Sequence, residues 1–448
     1  MFSKLASFTF AVLVVTNGRA APAASAAPVS AAQDVRELLV AARGVAPSLC
    51  TLAADGVYSW GGRWTAPAEP VRSDIRSRVR RLHRRHLAAD ESRALLEGIA
   101  STDACERHLS ATLIGRFGDS AIVRDLSTRL GAGAAPERQA TLVALGLLEA
   151  KSQLQPIIHA LRDEAPAVRA NAAWALGLLE QREATPALVG ALKDVDESVR
   201  GAAVVALGRL RSADSIETLL RILRTDPSDE VRRVAAWALG ELQHRGAAPA
   251  LTQALASDKS DDVREMAAWA LASSNARESV DHIVTAMQKD EAANVRETCA
   301  WALAELNARR AVDVLAAVVA NDKDDEVRGT AAWAIGQLHP GKAPASLIKA
   351  IKDPNGDVRV KAAWALGEIA DPDAATAIAD ALKTETKDDV EQAEVRALLK
   401  AGEGTEDLFK RLLESKDADT RQMAVRALAG RRRVDPWPWP WPRPRPMP

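Results

Sequence analysis

One decapeptide recurs along the chain at a nearly fixed spacing, and that recurrence limits the fold more than any other feature. VRANAAWALG (168–177), VRGAAVVALG (199–208), VRRVAAWALG (231–240), VREMAAWALA (263–272), VRETCAWALA (295–304), VRGTAAWAIG (327–336) and VRVKAAWALG (358–367) are copies of one another. Their arginines, Arg169, Arg200, Arg232, Arg264, Arg296, Arg328 and Arg359, lie 31 or 32 residues apart. Weaker copies keep the phase at Glu106, Glu137, Val390 and Thr420, which makes eleven in 448 residues. Between copies runs a second amphipathic segment, as in SIETLLRILRTD (215–226) and APASLIKAIKD (343–353). A unit of two short helices cannot bury its apolar face alone, so neighbours must stack. The expected fold is all-α: a solenoid of about eleven two-helix repeats.

With the Val of each copy as position zero and about 100° per residue, Val at zero, Ala at four and seven, and Leu at eight and eleven share one narrow stripe. That stripe is the expected core. Roughly opposite, at position six, stand Trp174, Trp237, Trp269, Trp301, Trp333 and Trp364, with Val205 interrupting the series. Positions two, three and ten share the Trp side and vary, with Arg233 and Glu241 in one copy and Glu297 and Glu305 in another. A constant core with a varied opposite stripe is the pattern of a binding surface, and these ten side chains are the candidate ligand contacts. Tryptophan is common at recognition hot spots. The same rings could instead lie flat against the neighbouring repeat, and the sequence leaves both roles open.

Asp163, Asp194, Asp226, Asp258, Asp290, Asp322 and Asp353 each precede the repeat arginine by six residues. Such repetition argues for structure over catalysis. An Asp in the turn caps the helix and accepts from an Arg of the same or the adjacent repeat.

The D…VRxxAAxALG pattern, over about residues 101–430, resembles the HEAT repeat of the short type named after phycobilisome lyases. The resemblance implies an armadillo-type superhelix whose second helices line the concave face, with the Asp and Arg residues as a structural ladder. Bilin lyases share the repeat type. So do deoxyhypusine hydroxylases, which bind two irons through His–Glu pairs. None of the seven His here is followed by Glu, and no other catalytic motif is present. The sequence therefore predicts no enzyme, no cofactor and no metal, with a lyase-like or hydroxylase-like enzyme as the rival class.

The ends differ from the repeats. Residues 1–26 carry a lysine, an apolar run from Leu5 to Val15 and small-residue cleavage sites, the layout of a secretory signal peptide. Residues 27–100 form the expected N-terminal helical cap, with a helix over 31–43 and a basic helix over 71–87. Residues 431–448 end in DPWPWPWPRPRPMP, an extended arm by its proline content. Export permits a disulfide. Cys50 and Cys105 lie outside the regular repeats and form the candidate pair, whereas Cys299 replaces a core Ala.

Fifty-nine basic residues nearly cancel sixty acidic ones, which argues against nucleic acid as partner. The cancellation hides an acidic body: +6 over 72–86 and +4 over 431–448 leave −11 elsewhere. The expectation is an exported, monomeric, periplasmic or extracellular scaffold whose acidic groove takes a neutral or basic peptide segment. An adaptor at an anionic membrane surface, using the basic helix and the Trp/Arg/Pro arm, is the third reading.

Overall fold

The computed structural model describes residues 31–43 and 87–400, with isolated positions between 410 and 425. The expected signal peptide, the basic helix but for Leu87, Cys50 and the C-terminal arm lie outside the described residues. After α1 (Ala31–Ala42) come ten helix pairs among the described residues. The first helices of the pairs are α2 (Ala89–Ile99), α4 (Val123–Ala132), α6 (Leu154–Ala160), α8 (Thr185–Ala191), α10 (Ile216–Thr225), α12 (Ala248–Ser257), α14 (Val280–Lys289), α16 (Val312–Asn321), α18 (Ala345–Ala350) and α20 (Pro372–Leu382). The second helices are α3 (Ala104–Phe117), α5 (Ala135–Leu147), α7 (Pro166–Leu179), α9 (Glu197–Arg209), α11 (Asp229–Glu241), α13 (Asp261–Ser273), α15 (Ala293–Glu305), α17 (Asp325–Leu338), α19 (Gly356–Ile369) and α21 (Asp388–Lys400). The chain is thus an α-solenoid. Its pairing begins at Ala89, inside the segment expected as cap.

Successive second helices touch along much of their length, whereas successive first helices meet at few points. The layer with the closer neighbours lies on the inside of the curve. The decapeptide helices are therefore the inner layer.

Some inner helices start on a side-chain cap, whereas α5, α7, α13 and α15 begin without one. Asp196, Ser228, Asp324 and Asn355 stand at N-caps and accept backbone N–H groups from the first turn. At position twelve the backbone turns left-handed, at Glu149, Glu180, Arg211, Gln243, Asn275, Asn307, His339 and Ala370, with φ between 44° and 54°. Glycine is the usual occupant of such a stop. Here only Asn275, Asn307 and His339 are residue types that go there more readily than others, so the sequence does not announce the joint.

The core is wider than the stripe expected from the wheel. In α11, Val231, Ala235, Ala236, Ala238 and Leu239 have no exposed surface, and Ala236 sits at position five, outside that stripe. An inner helix has inner neighbours on both sides as well as its own outer helix, so three directions are buried. Alanine and glycine set how closely the neighbours approach. A Cβ at Gly336 would lie 2.7 Å from Trp364 Cζ3 and 2.8 Å from Ala365 Cα. Gly336→Val should therefore cost about 2 kcal/mol, read as a lower denaturation midpoint by circular dichroism. An unchanged midpoint would mean that the joint opens freely.

The acidic and basic repeat positions form one ladder along the turns. Arg264 sets Nε 2.7 Å from Asp290 Oδ2 and Nη2 2.9 Å from Asp290 Oδ1. Its Nη1 donates to the carbonyl of Asp258 at 3.0 Å. The side-chain fork thus always reaches the next repeat, while the repeat's own Asp supplies only its main-chain oxygen. The same forks join Arg169 to Asp194, Arg200 to Asp226, Arg232 to Asp258, Arg296 to Asp322 and Arg328 to Asp353. Two further rungs join a ladder residue named from sequence to a partner that was not: Asp163 with Arg138, and Arg359 with Glu385. Each acceptor carboxylate also takes a backbone N–H two residues on, as Asp290 does from Ala292 at 3.0 Å.

At the N-terminal side, α1 buries Val35, Leu38 and Leu39. Arg43 forks onto Glu106, with Nε 2.8 Å from Oε2 and Nη2 3.1 Å from Oε1. Next to it, Cys105 is disulfide-bonded. Cys299 is a free, fully buried thiol that burial pushes upward in pKa.

Candidate binding face

The inner helices carry the tryptophan row, and packing decides how much of each ring faces the groove. Trp237 and Trp333 are buried, 7% and 2% exposed, while Trp174, Trp269, Trp301 and Trp364 are half-buried. The Cζ3 edges of Trp174, Trp237, Trp269 and Trp364 lie over Gly146, Gly208, Gly240 and Gly336 of the preceding repeat. Where Val205 replaces the ring, Gly177 faces Ala206 instead. Trp333 and Trp364 stack, with centroids 6.4 Å apart and planes 18° from parallel. The row is thus packed edge-on into the joints, with part of four rings left at the surface.

The varied positions flank these rings. Arg233 is buried and forks onto Glu230, at 2.8 Å from Nε and 2.6 Å from Nη2. Burial opposes the charge on Arg233, and the hydrogen bonds to Glu230 more than offset it, so its pKa is raised. Lys361 Nζ reaches Glu326 at 3.1 Å. Glu297 is half-buried and accepts from Thr330 Oγ1 at 3.0 Å. Glu241 sits 4.0 Å from Arg211, and Glu305 is exposed at the helix end.

Sequence reasoning missed the residues that complete this face. Glu265 is half-buried and accepts from Asn294 Nδ2 at 2.8 Å and from Thr298 Oγ1 at 3.3 Å. The Glu265–Thr298 and Glu297–Thr330 bonds are one contact repeated: position two of one repeat accepts from position three of the next. The signal was present, because both positions were marked as variable and two carry Glu in successive copies. What it lacked was the pairing across repeats. Asp262 lies one turn before Met266, on the same side as Glu265.

Electrostatics make this stretch distinctive. Burial, with Asp261 nearby, raises the pKa of Asp262. Burial likewise raises Glu265 and Glu297 despite their hydrogen bonds to neutral groups. The two buried cations of the face are matched to Glu230 and Glu326. Glu265 and Glu297 therefore form a half-buried acidic pair on the helices of Trp269 and Trp301, held by amide and hydroxyl donors, with the exposed Asp262 one turn before Glu265.

A second unforeseen carboxyl lies in the core. Glu394 takes position four of the copy that starts at Val390, where the seven strong copies carry Ala or Cys. It has no exposed surface, and neither oxygen has a hydrogen-bond partner. Burial pushes its pKa up to about 8.

Among the described residues, no group of three or more His, Cys, Asp or Glu side chains is arranged to hold a metal ion. None of their helices is long and apolar enough to cross a membrane.

A family model described as HEAT repeats matches residues 154–240, 216–304, 248–336 and 312–399. No curated protein gives a significant sequence match. Among solved structures, yeast importin-beta (Kap95p) is 15% identical, with a TM-score of 0.58 over 90% of this chain and 68% of that one. An engineered protein is 24% identical, with a TM-score of 0.43 over 77% of this chain and 99% of that one. The CpcE–CpcF complex of phycocyanin lyase from Nostoc sp. PCC7120 is 20% identical, with a TM-score of 0.32 over 62% of this chain and 94% of that one. At 15% identity, the likeness to importin-beta is one of fold.

Proposed function

Because the chain belongs to the HEAT-repeat family, we propose that it is a protein-binding scaffold that takes an extended basic peptide segment along its inner face. The observation that carries this reading is the pair Glu265 and Glu297, half-buried beside tryptophan rings and held by neutral donors, with the exposed Asp262 beside them. A carboxylate in that setting gains more from an arriving cation than one in open water, because the local dielectric is lower. The half-buried faces of Trp269 and Trp301 supply apolar and cation–π contact to the same segment. Similar solenoids have been solved with a protein bound, Kap95p with RanGDP and with Nup1. The scaffold acts without catalysis of its own. In this proposal it is a monomer that works outside the cytoplasm after loss of residues 1–26.

A fluorescein-labelled peptide of nine lysines tests the reading by anisotropy. Saturable binding is expected, weakening as salt rises. The combined variant Asp262→Asn, Glu265→Gln, Glu297→Gln should bind about tenfold more weakly, equivalent to about 1.4 kcal/mol. Equal affinity in the variant, or preference for a nine-glutamate peptide, would sink it.

A further inference from the structure

The protein carries a segment of the chemistry that its inner face selects. Residues 435–448 read DPWPWPWPRPRPMP: three Trp, two Arg and a proline at every second position. Proline fixes φ and favours an extended backbone of about 3.1 Å per residue, with little entropy left to lose on docking. Proline-rich segments dock into grooves lined by aromatic rings. The inner face offers such rings in Trp269 and Trp301, half-buried on the helices that carry Glu265 and Glu297, and in Trp364, half-buried two repeats further on. Charge is complementary as well, +4 over 431–448 against Glu265 and Glu297.

We propose that the C-terminal arm occupies the inner face of its own chain, with Arg443 and Arg445 on Glu265 and Glu297 and the prolines against the tryptophan rings. The inference rests on the peptide-binding role proposed above and names its resident occupant. Reach is sufficient: the eleventh copy ends near residue 430 and Arg443 lies thirteen residues beyond it, about 40 Å at about 3.1 Å per residue, while Glu297 lies four repeats before that copy, roughly 40 Å at about 10 Å per repeat. Tethering also places the arm at an effective concentration of about a millimolar, so modest intrinsic affinity is enough to fill the groove. An outside basic ligand must then displace the arm.

The test uses the full chain with a photo-crosslinking phenylalanine derivative in place of Pro444, the digest being read by mass spectrometry. Crosslinks to segments containing Glu265 to Trp301 of the same chain are expected. They should fall about tenfold in the Asp262→Asn, Glu265→Gln, Glu297→Gln variant. Crosslinks confined to outer helices, or only to a second copy in a dimer band, overturn the proposal. A second measurement separates it from the broader function. Arg443→Glu with Arg445→Glu should raise affinity for the nine-lysine peptide about tenfold, because the competitor leaves. Peptide binding that ignores the arm variant refutes the arm and keeps the scaffold. An arm that crosslinks while no peptide binds, even after charge reversal, removes the external ligand instead.

Discussion

Replacing Glu394 with Ala raises the stability of the α21 repeat by about 5 kcal/mol more at pH 9 than at pH 4. The size follows from a carboxyl raised from 4.5 to about 8, since each pKa unit is worth about 1.4 kcal/mol. Its sign follows from proton binding. Between those values the folded repeat holds a proton that the unfolded chain releases, so folding loses stability as pH rises from about 4.5 to 8 and levels off above. Burial is the main cause, and Glu385 adds to it while Arg359 opposes it. Arg359 cannot neutralise Glu394 because its fork is committed to Glu385 at 2.7 and 3.1 Å. Alanine is what six of the seven strong copies place at this position, with Cys299 in the seventh, so the register accepts it. Hydrogen exchange of α21 amides across pH 5 to 9 reads the effect. Protection that falls with pH in the parent and stays level in the variant is expected; parallel curves would exclude Glu394 as the cause.

Removing the guanidinium of Arg296 has the opposite sign and a comparable size. Arg296→Ala leaves the Asp322 carboxylate, 9% exposed, without its fork, and a loss of about 3 kcal/mol is expected. Three contacts go together: the fork at 2.8 and 2.9 Å, and bonds to the carbonyls of Asp290 and Glu291 at 3.0 Å each. Burial pulls the Asp322 pKa up, and Arg296 with the Asp324 N–H more than reverses that, so the carboxyl sits below 3.8. A depressed carboxyl stabilises above its unfolded pKa and ceases to do so as pH falls through its folded one. The gap between parent and variant should accordingly be full at pH 6 and narrow in urea titrations as pH falls through the lowered pKa of Asp322. Arg296→Lys, which keeps the charge and loses the fork, should fall between the two. A Lys variant as stable as the parent would show that charge alone holds the rung.

The architecture was legible because period, core and turn residues all pointed to stacked helix pairs. Position zero, four, seven and eight are buried where the wheel placed them. Interactions across repeats were not legible, because sequence spacing does not say whether Arg264 meets the Asp six residues before it or the one twenty-six after it. The geometry selects the latter. The same blindness hid Glu265 with Thr298, whose bond spans thirty-three residues. Glu394 was readable as a polar residue at a core register, but its isolation depends on the commitment of Arg359 elsewhere. The left-handed stop at position twelve gave no compositional sign, since Glu, Arg, Gln, Asn, His and Ala all occupy it.

The rungs also show where the chain hides its irregularity. Arg and acceptor are 25 residues apart at Arg169–Asp194 and Arg328–Asp353, and 26 at Arg200–Asp226 and Arg264–Asp290. The longer interval goes with a longer outer helix: α10 and α14 have ten residues where α8 has seven and α18 has six. Inner helices hold thirteen or fourteen throughout the same span. Insertions are thus absorbed on the outer rim while the inner row keeps its graduation. The molecule works as a ruler with a soft back: a strand laid along the inside meets one mark per repeat, and whole units can be gained or lost without blurring the scale.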